Sequence, residues 1–205
     1  MIIYEQNLNN DLQLAMREGD MFFQGDGAVQ RTLRRIAERL DELGVEYAIV
    51  GGMAMYVHGF RRYTEDVDIL VTADGLKTIH EKLDGLGYVR PFAASKNLRD
   101  ADTGVRVEFL ITGQFPGSGK SGPIAFPNPH NGSEIRDGIR ILTVPRLVEL
   151  KLASSVAPGR RKDLGDVQEL IKVLNLPFEL GLAIHESVRP LYEELWNEVR
   201  IPPSD

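Results

Sequence analysis

Two aspartates one residue apart, Asp66 and Asp68, stand in the run Thr64-Glu65-Asp66-Val67-Asp68-Ile69-Leu70-Val71. In an extended strand alternate side chains share a face, so both carboxylates emerge together. Like charges held so close repel unless a cation is shared between them, and hard oxygen ligands favour Mg²⁺ or Mn²⁺ over zinc. Upstream, Gly51-Gly52 follow the apolar run that ends at Val50 and precede a short helical pattern. Glycine lets the backbone approach a ligand closely, and a helix N-terminus offers free N–H groups at its positive end. One motif can therefore hold a metal and the other a phosphate. Taken singly, an Asp-x-Asp also marks a solvated strand entrance and a Gly-Gly an ordinary tight turn.

A third carboxylate joins them by pattern. Val105, Val107, Phe109 and Ile111 alternate with Arg106, Glu108 and Leu110, repeating the arrangement of the first acidic strand. If the two strands are neighbours, Asp66, Asp68 and Glu108 converge. Arg61, Arg62 and Thr64 lie just before the acids, placed to contact a triphosphate or support a metal site, with solvent exposure the expectation for at least one of the arginines. His58, at the end of a short helix, reads as a packed or hydrogen-bonded residue. Lys151 interrupts the apolar run Leu147-Val148-Glu149-Leu150-Lys151-Leu152, where it either reaches phosphates or snorkels from the core edge. Asp163 either caps its helix, with Asp166 in the first turn, or joins the chemistry.

One motif is a decoy. Pro116-Gly117-Ser118-Gly119-Lys120-Ser121 resembles a P-loop, but the required glycine five positions before Gly119 is Gln114, and Gly122-Pro123 follow where a helix should start. A basic loop over the site is the better expectation.

The elements that must position these groups follow from periodicity. Asn9 or Asn10 is placed to cap a short peripheral helix, which ends in the Gly19 and Gln24–Gly27 region. Val29, Leu33, Ile36, Ala37 and Leu40 form a helical stripe over 28–43. Strands are expected at 45–50, 66–71, 88–90, 105–111 and 139–144, with a short one at 124–126. Helices are expected at 53–58 and 74–85, and a polar hairpin turn near 99–104. The glycine-, proline- and asparagine-rich stretch 113–138 reads as a long functional loop. After Pro145 the pattern becomes helical, over 146–156, 163–174 and 179–199, with a kink expected at Pro190. The fold class is α+β: a mixed sheet flanked by helices, with a C-terminal helical lobe. The expected division is a peripheral segment (1–27), a sheet-bearing domain (28–144) and a helical lobe (145–205).

Composition sets the outer limits. The chain has 205 residues, 42% hydrophobic and 26% charged, with a net charge of −6 and no cysteine. That excludes disulfides, thiolate zinc sites and thiol nucleophiles. The acidic total argues against a broad nonspecific grip on nucleic acid, although Arg160, Arg161 and Lys162 form a local basic run. No apolar run is long enough to span a bilayer, and Met1–Asn7 shows no signal-peptide pattern, so a cytoplasmic protein without membrane contact is expected.

The ordered set Gly51-Gly52, Thr64-Glu65-Asp66-Val67-Asp68 and Glu108 resembles the nucleotidyltransferases of the DNA polymerase β superfamily. A narrower resemblance, to the AbiEii-like and MenT-like enzymes, many of them toxins of toxin–antitoxin pairs, covers roughly residues 30–175. It rests on Val50-Gly51-Gly52-Met53-Ala54, His58-Gly59 with Arg62 and Thr64, Leu150-Lys151-Leu152, and Arg161-Lys162-Asp163 with Asp166. The resemblance implies transfer of an NMP from an NTP to an acceptor hydroxyl by a two-metal mechanism using Mg²⁺ or Mn²⁺. It assigns Asp66, Asp68 and Glu108 to metal and catalysis, and Gly51, Gly52, Arg62, Thr64, Lys151 and Asp163 to the nucleotide. Glu108 departs from the usual Asp. The acceptor is expected to be tRNA, a protein hydroxyl or a small molecule such as an aminoglycoside, with an antitoxin as protein partner. The alternative is a catalytically inactive nucleotide-binding regulatory or interaction module, against which the intact Asp66 and Asp68 argue.

Overall fold

The computed structural model describes residues 3–200. Residues 1–2 of the N-terminal segment, with the start of the signal-peptide reading, and 201–205 of the helical lobe lie outside the described residues.

The chain opens with α1 (Tyr4–Asn10) and α2 (Leu12–Gln24), where a single short helix was expected. Asp11, not either asparagine, caps α2 by accepting the Leu14 N–H at 3.0 Å. Gly19 is carried inside the helix, and Gly25, at φ 86°, ends it. Phe22 of α2 is fully buried and packs edge-on against Tyr56 and tilted against Tyr63. The stripe read from the sequence forms α3 (Ala28–Glu42), with Val29, Leu33, Ile36, Ala37 and Leu40 all buried.

Then come β1 (Tyr47–Ile49), α4 (Gly51–His58), β2 (Asp66–Val71) and α5 (Ala73–Leu83). Helix α4 starts at Gly51 itself, two residues before the expected Met53. Strands β3 (Tyr88–Val89), β4 (Leu98–Asp100) and β5 (Arg106–Ile111) follow, the last two joined through the polar turn read near 99–104. A hairpin of β6 (Ser133–Arg136) and β7 (Ile139–Leu142) closes the sheet. Its two-residue turn, Asp137-Gly138, has positive φ at both positions (50° and 77°), the primed geometry that matches strand twist. The sheet has seven strands in the order β3-β4-β5-β2-β1-β7-β6. Strand β2 is central, antiparallel to β1 and parallel to β5. Val67, Ile69 and Val71 are fully buried on one of its faces, and α3 lies against it.

Further expectations fail in the loop and the C-terminal region. Residues 124–126 form no strand. Phe126 instead pins the loop, exchanging backbone bonds with Gly113 and Gln114 at 2.9 and 2.8 Å. The long C-terminal helix is broken into a 3₁₀ turn (Phe178–Ala183) and α8 (Arg189–Arg200). Pro190 kinks nothing, because it sits in the first turn of α8, where its missing N–H would have had no partner. Between them and the sheet lie α6 (Val144–Ser155) and α7 (Lys162–Val173). No helix among the described residues is long and apolar enough to cross a membrane.

Candidate active site

Strands β2 and β5 run in parallel register, with Asp66 opposite Arg106 and Asp68 opposite Glu108. The period-two alternation then delivers Asp66, Asp68 and Glu108 to one face, as their patterns required. One carboxylate oxygen from each lies within 4.8 Å of the others. Thr64 Oγ1 donates to Asp66 Oδ1 at 2.9 Å, and Arg106 Nη2 donates to Asp66 Oδ2 at 2.9 Å while standing 3.6 Å from Glu108. The Asp68 carboxyl is pushed up to about 7, first by burial and then by the charges of Asp66 and Glu108. Three oxygen donors that repel one another when empty are a fitting set for a hard divalent cation.

Gly51 and Gly52 abut this cluster for steric reasons. Gly51 has φ 59°, and a β-carbon there would collide with the Asp68 carboxylate. A β-carbon on Gly52 would stand 2.8 Å from both Cβ and Oγ1 of Thr64. The first helical bond of α4 runs from Ala54 N to Val50 O, so the N–H groups of Gly51, Gly52 and Met53 precede the ladder. The phosphate-binding and metal-binding features thus share a wall. They face a cleft of about 500 Å³ that is also lined by Arg62, Thr64, Lys96, Lys151, Arg160, Lys162 and the loop from Phe115 to Gly119.

No family model matches the chain, and no curated protein sequence does. Solved structures do. ANT(2″)-Ia in complex with adenylyl-2″-tobramycin aligns with a TM-score of 0.53 at 12% identity, over 80% of this chain and 96% of that one. The solution structure of the antibiotic-resistance factor ANT(2″)-Ia gives 0.51 at 12% identity, over 82% and 91%. The fold is that of the nucleotidyltransferases. An antigenic nucleotidyltransferase-like protein from Paracoccidioides brasiliensis aligns at 18% identity, over 82% of this chain and 91% of that one, with a TM-score of 0.46.

In this nucleotidyltransferase fold, eight of the nine site residues picked from the sequence line the cleft, and Asp163 does not. Asp163 is fully buried behind Lys151 and accepts from Lys151 Nζ at 2.8 Å and Arg160 Nε at 2.9 Å. Burial opposes its ionisation, but Lys151, a Ser154 hydrogen bond and Arg160 hold its carboxyl below the ordinary range. Asp166 accepts from Lys151 Nζ at 2.6 Å and from Arg62 Nη2 at 3.1 Å. His58 is packed as expected: its Nε2 sits 2.7 Å from the Leu142 carbonyl, and burial lowers its basicity. Sequence reasoning missed Arg106 and Lys96. Arg106 had a signal, since it shares the Glu108 face of β5, whereas Lys96 had none. The P-loop look-alike reaches the cleft as a loop, with Gly117 packed on the Ser154 carbonyl at the end of α6.

Proposed function

We propose that the protein is a divalent-cation-dependent nucleotidyltransferase that moves the nucleoside monophosphate of an NTP onto an acceptor hydroxyl. The observation that carries this reading is the in-register pairing of Asp68 with Glu108 beside the Gly51-Gly52 turn, in one cleft. Asp66, Asp68 and Glu108 would hold Mg²⁺ or Mn²⁺, which when bound offsets phosphate charge and acidifies the acceptor hydroxyl, two such ions serving in the two-metal scheme. The N–H groups at the start of α4 bind the phosphates. Arg62 and Lys151 offset the charge of the departing pyrophosphate. The acceptor oxygen bonds to the α-phosphorus, the α–β phosphoanhydride breaks, and Glu108 accepts the acceptor's proton. Thr64 keeps Asp66 oriented throughout.

Charge narrows the acceptor. Of the cations lining the cleft, Arg62, Lys151 and Arg160 are paired with Asp163 or Asp166 and Arg106 with Asp66, while Lys96 and Lys162 have no ion-pair partner among the described residues. Lys96 and Lys162 favour an acceptor bearing anionic groups, such as tRNA, over a polyamine sugar like the tobramycin of the ANT(2″)-Ia complex. An RNA acceptor agrees with the toxin role, and the antitoxin partner, that the AbiEii-like and MenT-like resemblance implies. A second reading, a nucleotide-binding module without turnover, draws on Arg106, whose guanidinium already pairs with Asp66 and stands beside Glu108.

Incubation with each α-labelled NTP, Mg²⁺ and total RNA or cell extract separates the two. Wild type is expected to label an acceptor, and Asp66→Ala to lose at least about 10³-fold of that activity. Nucleotide binding by wild type without any labelling would support the module instead. Gly52→Ala tests the steric argument in the same assay. By displacing Thr64 from Asp66, it is expected to lower kcat/KM about 100-fold, the scale of a small misplacement of a catalytic group.

A further inference from the structure

One buried carboxylate, which does not itself line the cleft, touches both of the cations assigned above to the triphosphate. Asp166, on α7, is 7% exposed. Its Oδ1 pairs with Arg62 Nε at 2.9 Å, and its Oδ2 accepts from Arg62 Nη2 at 3.1 Å and from Lys151 Nζ at 2.6 Å. Arg62 comes from the segment between α4 and β2, and Lys151 from α6. Three separate segments therefore meet at one side chain. Asp163 cannot play this part, because its oxygens are taken by Lys151 and Arg160.

We infer that Asp166 is a positioning residue for the triphosphate: it sets Arg62 and Lys151 as a pair aimed at the same phosphates. The inference rests on the nucleotidyltransferase reading. Arginine and lysine are rotamer-rich, and a cleft that had to order both on binding would lose affinity. A carboxylate shared between them orders both side chains before a nucleotide binds. Charge alone predicts the opposite effect. Arg62, Lys151 and Arg160 face Asp163 and Asp166, so the cluster is net positive by one charge, and Asn at 166 would make it more positive. Simple attraction then predicts that Asp166→Asn tightens NTP binding, whereas positioning predicts that it weakens binding.

Calorimetric titration of wild type and Asp166→Asn with the four NTPs and the four NMPs, in Mg²⁺, decides between them. Asp166→Asn is expected to weaken binding of the preferred NTP about tenfold, the scale of removing a residue that orients ligand-binding groups. Binding of the matching NMP, which lacks the phosphates these cations meet, should change by less than about twofold, and KM should rise more than kcat falls. Unchanged or tighter NTP binding overturns the inference. Equal weakening of NTP and NMP also overturns it, since that marks general loosening. If Asp166→Asn does not fold, Arg62→Gln, Lys151→Gln and their double variant carry the test. The two cations are not paired with each other, so in melting of the nucleotide-free variants a double effect that departs from the sum of the single effects supports the shared carboxylate, and additive effects overturn it. Absence of NTP binding by wild type would overturn the nucleotidyltransferase reading, and this inference with it.

Discussion

Asp68→Asn is expected to lower kcat for nucleotidyl transfer by at least about 10³-fold while leaving the protein folded. Asparagine keeps the shape of the side chain against Gly51, which sits so close to Asp68 that no β-carbon fits between them. What it removes is one of three mutually repelling charges whose oxygens lie within 4.8 Å. The cation-free variant should therefore melt no lower than wild type. The cation-binding readout is separate from activity. Added Mg²⁺ or Mn²⁺ should raise the melting temperature of wild type, because a ligand that binds only the folded state stabilises it, and should do so far less in the variant. Full activity in the variant with Mg²⁺ and NTP would sink the proposed function. An equal cation response in both proteins would sink the assignment of Asp68 as a ligand.

The acidic face was legible because β-strand alternation is a strict rule. Asp66 and Asp68 had to share a face of β2, and Glu108 a matching face of β5, once both segments were strands. The sequence could not supply their adjacency, which depends on a parallel pairing between residues 40 apart, Asp66 and Arg106. The shared pattern of apolar positions only made that pairing plausible. Arg106 was visible on the same alternation, but its contact with Asp66 depends on the pairing of the two strands and has no signal along the chain.

Elsewhere local signals competed. Asp137-Gly138 is a strong primed-turn dipeptide, yet β6 was missed. Its residues Ser-Glu-Ile-Arg carry one apolar side chain, and that one, Ile135, is exposed. An edge strand held by backbone bonds to a single neighbour leaves almost no hydrophobic trace. Pro190 was read as a kink because apolar residues continue on both sides of it. A proline in a first turn gives the same local pattern, and only the 3₁₀ break at 178–183 distinguishes the two. The glycine pair was placed correctly as a strand-to-helix junction. Its second role, leaving room for Asp68 and Thr64, belongs to tertiary packing and has no signature along the chain.

Asp163 shows the same limit and leads to the second large effect. Resemblance assigned it to the nucleotide, but it lies wholly buried behind Lys151. Removing one partner of a buried ion pair leaves the other charge uncompensated, which costs about 3–5 kcal/mol. Because Lys151 keeps Asp166 and Arg160 is partly exposed, Asp163→Asn should fall near the lower figure. That corresponds to a drop in melting temperature of about 10 °C for a domain of this size. Its sign with pH is fixed by the direction of the shift. The folded-state value lies below the ordinary 3.8, so the stabilisation is fully present above about pH 4 and is lost as pH falls through the lower folded value. The gap in unfolding free energy between wild type and Asp163→Asn should therefore be constant from neutral pH down to about pH 5 and shrink at more acidic pH. Urea titrations across that range measure it. A gap that widens as pH falls would mean that Asp163 is not the carboxylate holding Lys151 in place.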